Sequence, residues 1–174
     1  VHDMASALRT HPLAAALFDP ERGDPEVSLF WRDARAEIEL RARLDWMPHT
    51  DGGRLLVGDY KTADSAAPRK FARSAADFGY PQQDDFYRAG IRALDLAEDV
   101  AFLFVVQAKT APYLVSVNEI HPSDLRAAHL KNREAIDLYA ACLKANEWPA
   151  YDGVNLIELP AWYRRHNEEE ATFA

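Results

Sequence analysis

Cysteine is almost absent from this sequence: Cys142 is the single one in 174 residues. One thiol excludes an internal disulfide and any four-cysteine zinc or iron–sulfur site. Its apolar helical setting, Leu138 to Leu143, points to a buried side chain instead of redox chemistry. No apolar run approaches the roughly 20 residues needed to cross a bilayer. The opening Val1-His2-Asp3-Met4 lacks signal-peptide character. The expectation is a cytoplasmic protein with no membrane partner. Repeats and low-complexity tracts are missing too, and the length suits a single domain over 1–174 with its core at about 25–146.

Positive charge is also in short supply. Lys and Arg number 20 against 28 Asp and Glu, a formal charge of −8, which argues against a basic coat that grips nucleic acid by neutralising phosphates. An enzyme that holds a cation on carboxylates is different. Its site is itself acidic, and only a local basic rim is needed to bring phosphates in. Three basic clusters are candidates for that rim: Arg32, Arg35, Arg41 and Arg43; Arg69, Lys70 and Arg73; Arg88 and Arg92. Each taken alone is equally well read as a solvated face.

Periodicity and breakers predict the element order. Residues 3–18 read as helical with a break at Pro12, where Thr10 can cap a second short helix. Asp19 to Pro25 is a loop by composition. A short apolar strand follows at Val27–Trp31, then a strictly alternating strand at Glu37–Trp46. The turn-rich Pro48–Gly53 leads into a strand at Arg54–Lys61, so these last two should form a hairpin. Helices fit Pro68–Phe78 and Pro81–Ala97, separated by Gly79-Tyr80. Strands fit Val100–Lys109 and Tyr113–Ile120, joined at Ala111-Pro112, and a long helix fits Ser123–Asn146. Pro160–Glu170 reads as a terminal helix. The fold class is therefore α/β (α+β), a mixed sheet flanked by helices, with room for a parallel crossover through the helical connection.

In this composition one acid-x-Lys is unsurprising, so Asp59-Tyr60-Lys61 gains its weight from position. Strand alternation puts Asp59 and Lys61 on one face, about 7 Å apart, at the end of an apolar strand that includes Leu55 and Val57. A strand-end ion pair would explain that much. Asp45, near the end of the strand expected to pair alongside, adds a second carboxylate. Two carboxylates and a lysine would then converge. Carboxylates so close repel unless a cation lies between them, and an all-oxygen donor set suits magnesium or manganese. The lysine can orient or deprotonate an attacking water, or stabilise charge on phosphoryl oxygens.

These residues resemble the PD-(D/E)XK nucleases, and within them the RecE and RecB-like exonuclease branch, including phage-type enzymes similar to exodeoxyribonuclease VIII. Asp45, followed fourteen residues later by Asp59-Tyr60-Lys61, resembles the family's Asp…(Asp/Glu)-x-Lys signature. Gln83-Asp84-Asp85-Phe86-Tyr87 resembles the Gln-x-x-x-Tyr helix of RecB-like nucleases, with Gln83 and Tyr87 on one helix face. Weaker echoes are Glu26, where a glutamate opens the first strand of RecE-like proteins, and Gln107-x-Lys109 with Pro112-Tyr113.

The resemblance implies a restriction-endonuclease-like core and a deoxyribonuclease that uses Mg²⁺ or Mn²⁺, acting as an exonuclease on duplex DNA ends in recombination or repair. It implies metal binding by the side chains of Asp45 and Asp59 and by the backbone carbonyl of Tyr60, with Lys61 catalytic. Gln83 and Tyr87 would contact DNA or brace the site; ordinary helix packing is their alternative. Glu26 is either a supporting residue or an exposed strand-start carboxylate. RecB-like nucleases add a metal-binding histidine upstream of the first strand. Here that is His2 or His11, or a residue preceding this sequence. The missing cysteines exclude the iron–sulfur cluster of some relatives and favour the RecE side, which brings a strand-annealing recombination protein as partner and a homo-oligomer as possible state. Two rival readings stand beside this one: a DNA-binding or scaffolding module with a degenerate site, and an unrelated protein-interaction domain whose acidic surface meets a basic partner.

Overall fold

A computed structural model describes residues 1–49, 53–161 and 163. Two short helices, α1 (His2–Thr10) and α2 (Pro12–Leu17), precede three strands, β1 (Gly23–Asp33), β2 (Ile38–Pro48) and β3 (Leu55–Ala63). Helices α3 (Pro68–Asp77) and α4 (Tyr80–Ala93) lead to β4 (Val100–Ala108), β5 (Val115–Glu119) and the long α5 (Pro122–Ala145). The order is the one the sequence predicts. The expected terminal helix over 160–170 lies largely outside the described residues.

The five strands form one sheet in the order β1-β2-β3-β4-β5. β3 and β4 pair in parallel, with α3 and α4 making the crossover, and the other neighbours are antiparallel. β4 is buried along nearly its whole length, which is why Val100 to Val106 is an unbroken apolar run instead of an alternating one. Phe102, Phe104 and Val106 join Phe71 of α3 and Ile91 of α4 in the core. The alternation of β2 also holds: Ile38, Ala42, Leu44 and Trp46 are buried, while Glu39, Arg41 and Arg43 are exposed. Cys142 is buried, as its setting suggests.

Three local expectations are corrected. β1 starts at Gly23, so the loop expected to reach Pro25 stops earlier. A Cβ at Gly23 would stand 2.6 Å from the Trp46 indole nitrogen; glycine lets the chain pair with Pro48 there, and Pro25 is tolerated because β1 is an edge strand. Thr10 does not cap α2. Its hydroxyl donates back to the Ala7 carbonyl at 3.0 Å, and His11 Nδ1 accepts the Ala14 N–H at 3.2 Å instead. The long ladder is β1–β2, closed by a turn in which Asp33 Oδ1 accepts the Ala36 N–H at 2.7 Å. β2 and β3 are antiparallel neighbours, but their register is recorded at Trp46↔Gly58 alone. Beside that rung the Asp45 carboxylate, not a main-chain carbonyl, takes the Tyr60 N–H.

Candidate active site

The centre is Asp59, which is 1% exposed although it is an ionisable side chain on a strand. Its approach to the sheet depends on the preceding glycine. A Cβ at Gly58 would meet Phe18 at 2.8 Å and Leu17 at 3.0 Å, so only glycine lets α2 pack this closely behind β3. Gln83 of α4 donates to Asp59 Oδ1 at 2.6 Å. Lys61 Nζ lies 2.5 Å from the other, buried oxygen, Asp59 Oδ2.

Asp45, half-buried on β2, accepts the Tyr60 N–H on Oδ2 at 3.0 Å. This one bond joins the first carboxylate to the strand that bears the second. Burial pushes the Asp59 carboxyl above its ordinary range, the Lys61 ammonium opposes that push, and the negative charge of Asp45 adds to it. Burial likewise raises the Tyr87 phenol, helped by the charges of Asp59 and Asp45, against Lys61 and a hydrogen bond with Gln83. Asp45, Asp59, Lys61, Gln83 and Tyr87 therefore share one electrostatic neighbourhood. Gln83 and Tyr87 sit one turn apart on α4 and face it together.

Other expected residues fall elsewhere. Glu26 stands between the rungs Pro25↔Trp46 and Val27↔Leu44, level with Asp45, but its backbone has φ 56 and its carboxylate pairs with Arg43 at 2.8 Å. Both partners are exposed, so the solvated reading of Glu26 is the one the geometry favours. His11 spends Nδ1 on the α2 cap, and neither it nor His2 makes a described contact with the carboxylates. Of the basic clusters, Arg88 is buried against Asp84, not on a rim. Arg32, Arg35 and Arg43 are paired with Glu39, Asp137 and Glu26.

Four residues make contacts that sequence reasoning missed. Tyr80, which the sequence suggests as part of a break between helices, is the first residue of α4, and its ring lies 5.1 Å from Lys61 Nζ. Its position three before Gln83 was the available signal. Gln107, fully buried, accepts the Tyr60 hydroxyl at 2.5 Å and donates to the carbonyls of Met4 and Tyr113. It ties α1 and the segment before β5 to the strand that carries Asp59. Asp84 and Arg88 form a buried pair four apart, with Arg88 also donating to the Val100 carbonyl. That pair fixes α4 against the start of β4.

A family model described as "PDDEXK-like domain of unknown function (DUF3799)" matches residues 1–159. The chain belongs to that family. No curated protein matches the sequence. Among solved structures, a candidate exonuclease from Eubacterium rectale is similar at TM-score 0.56 and 12% identity, over 85% of this chain and 53% of that one. SSO0001 gives TM-score 0.40 at 14% identity, over 71% of this chain and 56% of its own. The PDDEXK-like chain thus spans about half the length of these two structures, and the first likeness speaks to the fold alone.

The donor set of this PDDEXK-like site suits a hard divalent cation. It offers a buried carboxylate, a second carboxylate close enough to raise the first, and backbone oxygen, with no sulfur or imidazole. Asp45, Asp59 and the Tyr60 carbonyl are the residues that would hold it. Among the described residues no group of three or more His, Cys, Asp or Glu side chains is arranged around a metal position, so solvent would supply further ligands.

Proposed function

We propose that this domain is a nuclease that hydrolyses phosphodiester bonds of DNA with Mg²⁺ or Mn²⁺, and that it works as an exonuclease on duplex ends. The observation that carries the reading is Asp59: a buried carboxylate beside a second carboxylate and a lysine, with its carboxyl raised by burial and by the charge of Asp45. Membership of a PDDEXK-like family supports a nuclease-type function. The exonucleolytic mode rests on the resemblance of the Asp45, Asp59, Lys61 and Gln83–Tyr87 pattern to RecE-like enzymes.

A bound divalent ion would supply Lewis acidity toward the scissile phosphate and make a water easier to deprotonate. The chain's own residues do the rest. Lys61, whose ammonium is held between Asp59 and the Tyr80 ring, is placed to orient the attacking water or to meet negative charge as it builds on the phosphoryl oxygens. Gln83 fixes the Asp59 carboxylate so that its other oxygen stays directed into the site. Hydrolysis adds water across one P–O bond: the hydroxyl joins phosphorus and the departing sugar oxygen takes the proton. A strand-annealing partner, a homo-oligomer and a role in recombination rest on the RecE resemblance.

The test is digestion of linear and covalently closed duplex DNA with Mg²⁺, with Mn²⁺ and with chelator, by the wild type and Lys61→Arg. The expected result is loss of the linear DNA only, with either ion, and no cleavage in chelator. Arginine keeps the charge but is bulkier and stays protonated, so Lys61→Arg should lose about two to four orders of magnitude in turnover. Cleavage of closed circles would replace the exonuclease reading with an endonuclease. Inertness toward both substrates would favour the degenerate binding module.

A further inference from the structure

Of the three basic clusters, the one on α3 has no partner. Arg69, Lys70 and Arg73 are exposed, and among the described residues none takes part in an ion pair or a side-chain hydrogen bond. Phe71 and Ala75 bury the opposite side of the helix, so the three cations lie together on its outer side at helical spacing. Asp77 is the one acid among the residues of α3.

The same helix ends in an aromatic that the core does not use. Phe78, which closes α3, is 72% exposed. Lys70, Ser74 and Phe78 are four apart and form one row, and the Ser74 hydroxyl turns back to the Lys70 carbonyl at 3.4 Å. From the end of that row the path to the chemistry is short. The Phe78 and Tyr80 rings are 6.0 Å apart, and Tyr80 lies 5.1 Å from Lys61 Nζ. The Tyr80 ring is itself held by stacking on Phe71 and Phe104. A phosphate-seeking stripe thus runs toward an exposed ring, and the ring adjoins the candidate catalytic lysine.

We propose that the outer face of α3, with Arg69, Lys70, Arg73 and Phe78, is the surface along which a DNA strand enters the site. The cations hold backbone phosphates. Phe78 stacks on a base next to the scissile bond. The proposal rests on the nuclease reading and deepens it by naming where the substrate lies. The chemistry favours a polyanion over an acidic protein because an exposed ring flanked by unpaired cations matches alternating bases and phosphates.

Two variants of the whole chain separate the parts. Arg69→Gln/Lys70→Gln/Arg73→Gln removes the cations from an exposed helix face, and Phe78→Leu keeps apolar bulk while removing the ring. Affinity for a fluorescent duplex with a short single-stranded end is measured in Ca²⁺ across a salt series. The triple variant should flatten the dependence of log affinity on log salt by about two to three units, close to one for each lost phosphate contact. Phe78→Leu should leave that slope unchanged and weaken affinity about fivefold or more, with loss of quenching of a 2-aminopurine placed at the end. Melting temperatures should match the wild type. An unchanged salt slope in the triple variant, unchanged quenching in Phe78→Leu, or tighter binding of RNA of the same sequence would overturn the proposal while the wild type still cleaves DNA. A wild type that neither binds nor cleaves DNA would overturn the nuclease reading as well.

Discussion

Asp59 and Asp84 are both buried aspartates that meet a cation, and their surroundings differ in one decisive respect. Asp84 gives both oxygens to the Arg88 guanidinium, whose remaining donor reaches the Val100 carbonyl. Asp59 receives Gln83 on one oxygen, while the other has only the nearby Lys61 ammonium and a like charge from Asp45. Burial raises both carboxyls, Asp84 to about 6. The Asp84–Arg88 pair holds helix α4 in place, whereas Asp59 shares its surroundings with a second carboxylate. The two residues look alike by burial alone and differ in the charges around them.

The largest expected effect comes from Asp59→Ala. Cleavage should fall by at least two to four orders of magnitude, the usual scale for a lost acid–base or metal-holding group. The melting temperature should hold or rise, because the change removes carboxylate repulsion. Residual cleavage above a few per cent of the parent rate, or a drop of several degrees in a circular-dichroism melt, would move Asp59 to the scaffold side.

Asp84→Ala should do the reverse. It leaves the Arg88 guanidinium buried and unpaired, a loss on the order of 3–5 kcal/mol, read as a lower urea midpoint. Glu119, 3.6 Å from Arg88, can absorb part of that charge. A variant as stable as the wild type would show that the Asp84–Arg88 pair is not what anchors α4.

The smallest effect is on pH. Asp59 and Asp84 both have folded pKa values above the unfolded one, and for Asp84, raised to about 6, the native state binds more protons in the window from about 4 to about 6. Stability from these groups is greatest at the acid end of that window and declines as pH rises through it. Asp33 works the other way. The Arg133 hydrogen bond lowers its carboxyl, so its contribution is present above the unfolded pKa and lost as pH falls below about 4. Urea midpoints at about pH 4, 5 and 6 should therefore decline for the wild type and decline less for Asp59→Ala. Equal slopes in the two proteins would show that Asp59 titrates like an exposed acid.

The element order, the parallel crossover and the trio Asp45, Asp59 and Lys61 were legible because each rests on local chemistry. Strand alternation sets which side chains share a face, and an unbroken apolar run marks the central strand. The Gln83–Tyr87 pair was legible for the same reason, since a spacing of four fixes a helix face. The choice between the two readings of Glu26 was not, because a left-handed backbone conformation within the first strand accompanies its pairing with Arg43, and alternation gives no sign of that.

By itself the sequence determined the elements and the kinds of group available at their ends. Tertiary structure alone decided which partners each buried aspartate meets, since that depends on side chains from α4, β2 and β4 meeting across many intervening residues. It also decided that Tyr80 faces Lys61 and that Gln107 ties α1 to β3. The physical reason is that a hydrogen bond or ring contact is set by position within a few tenths of an ångström, whereas a periodic pattern specifies only a face.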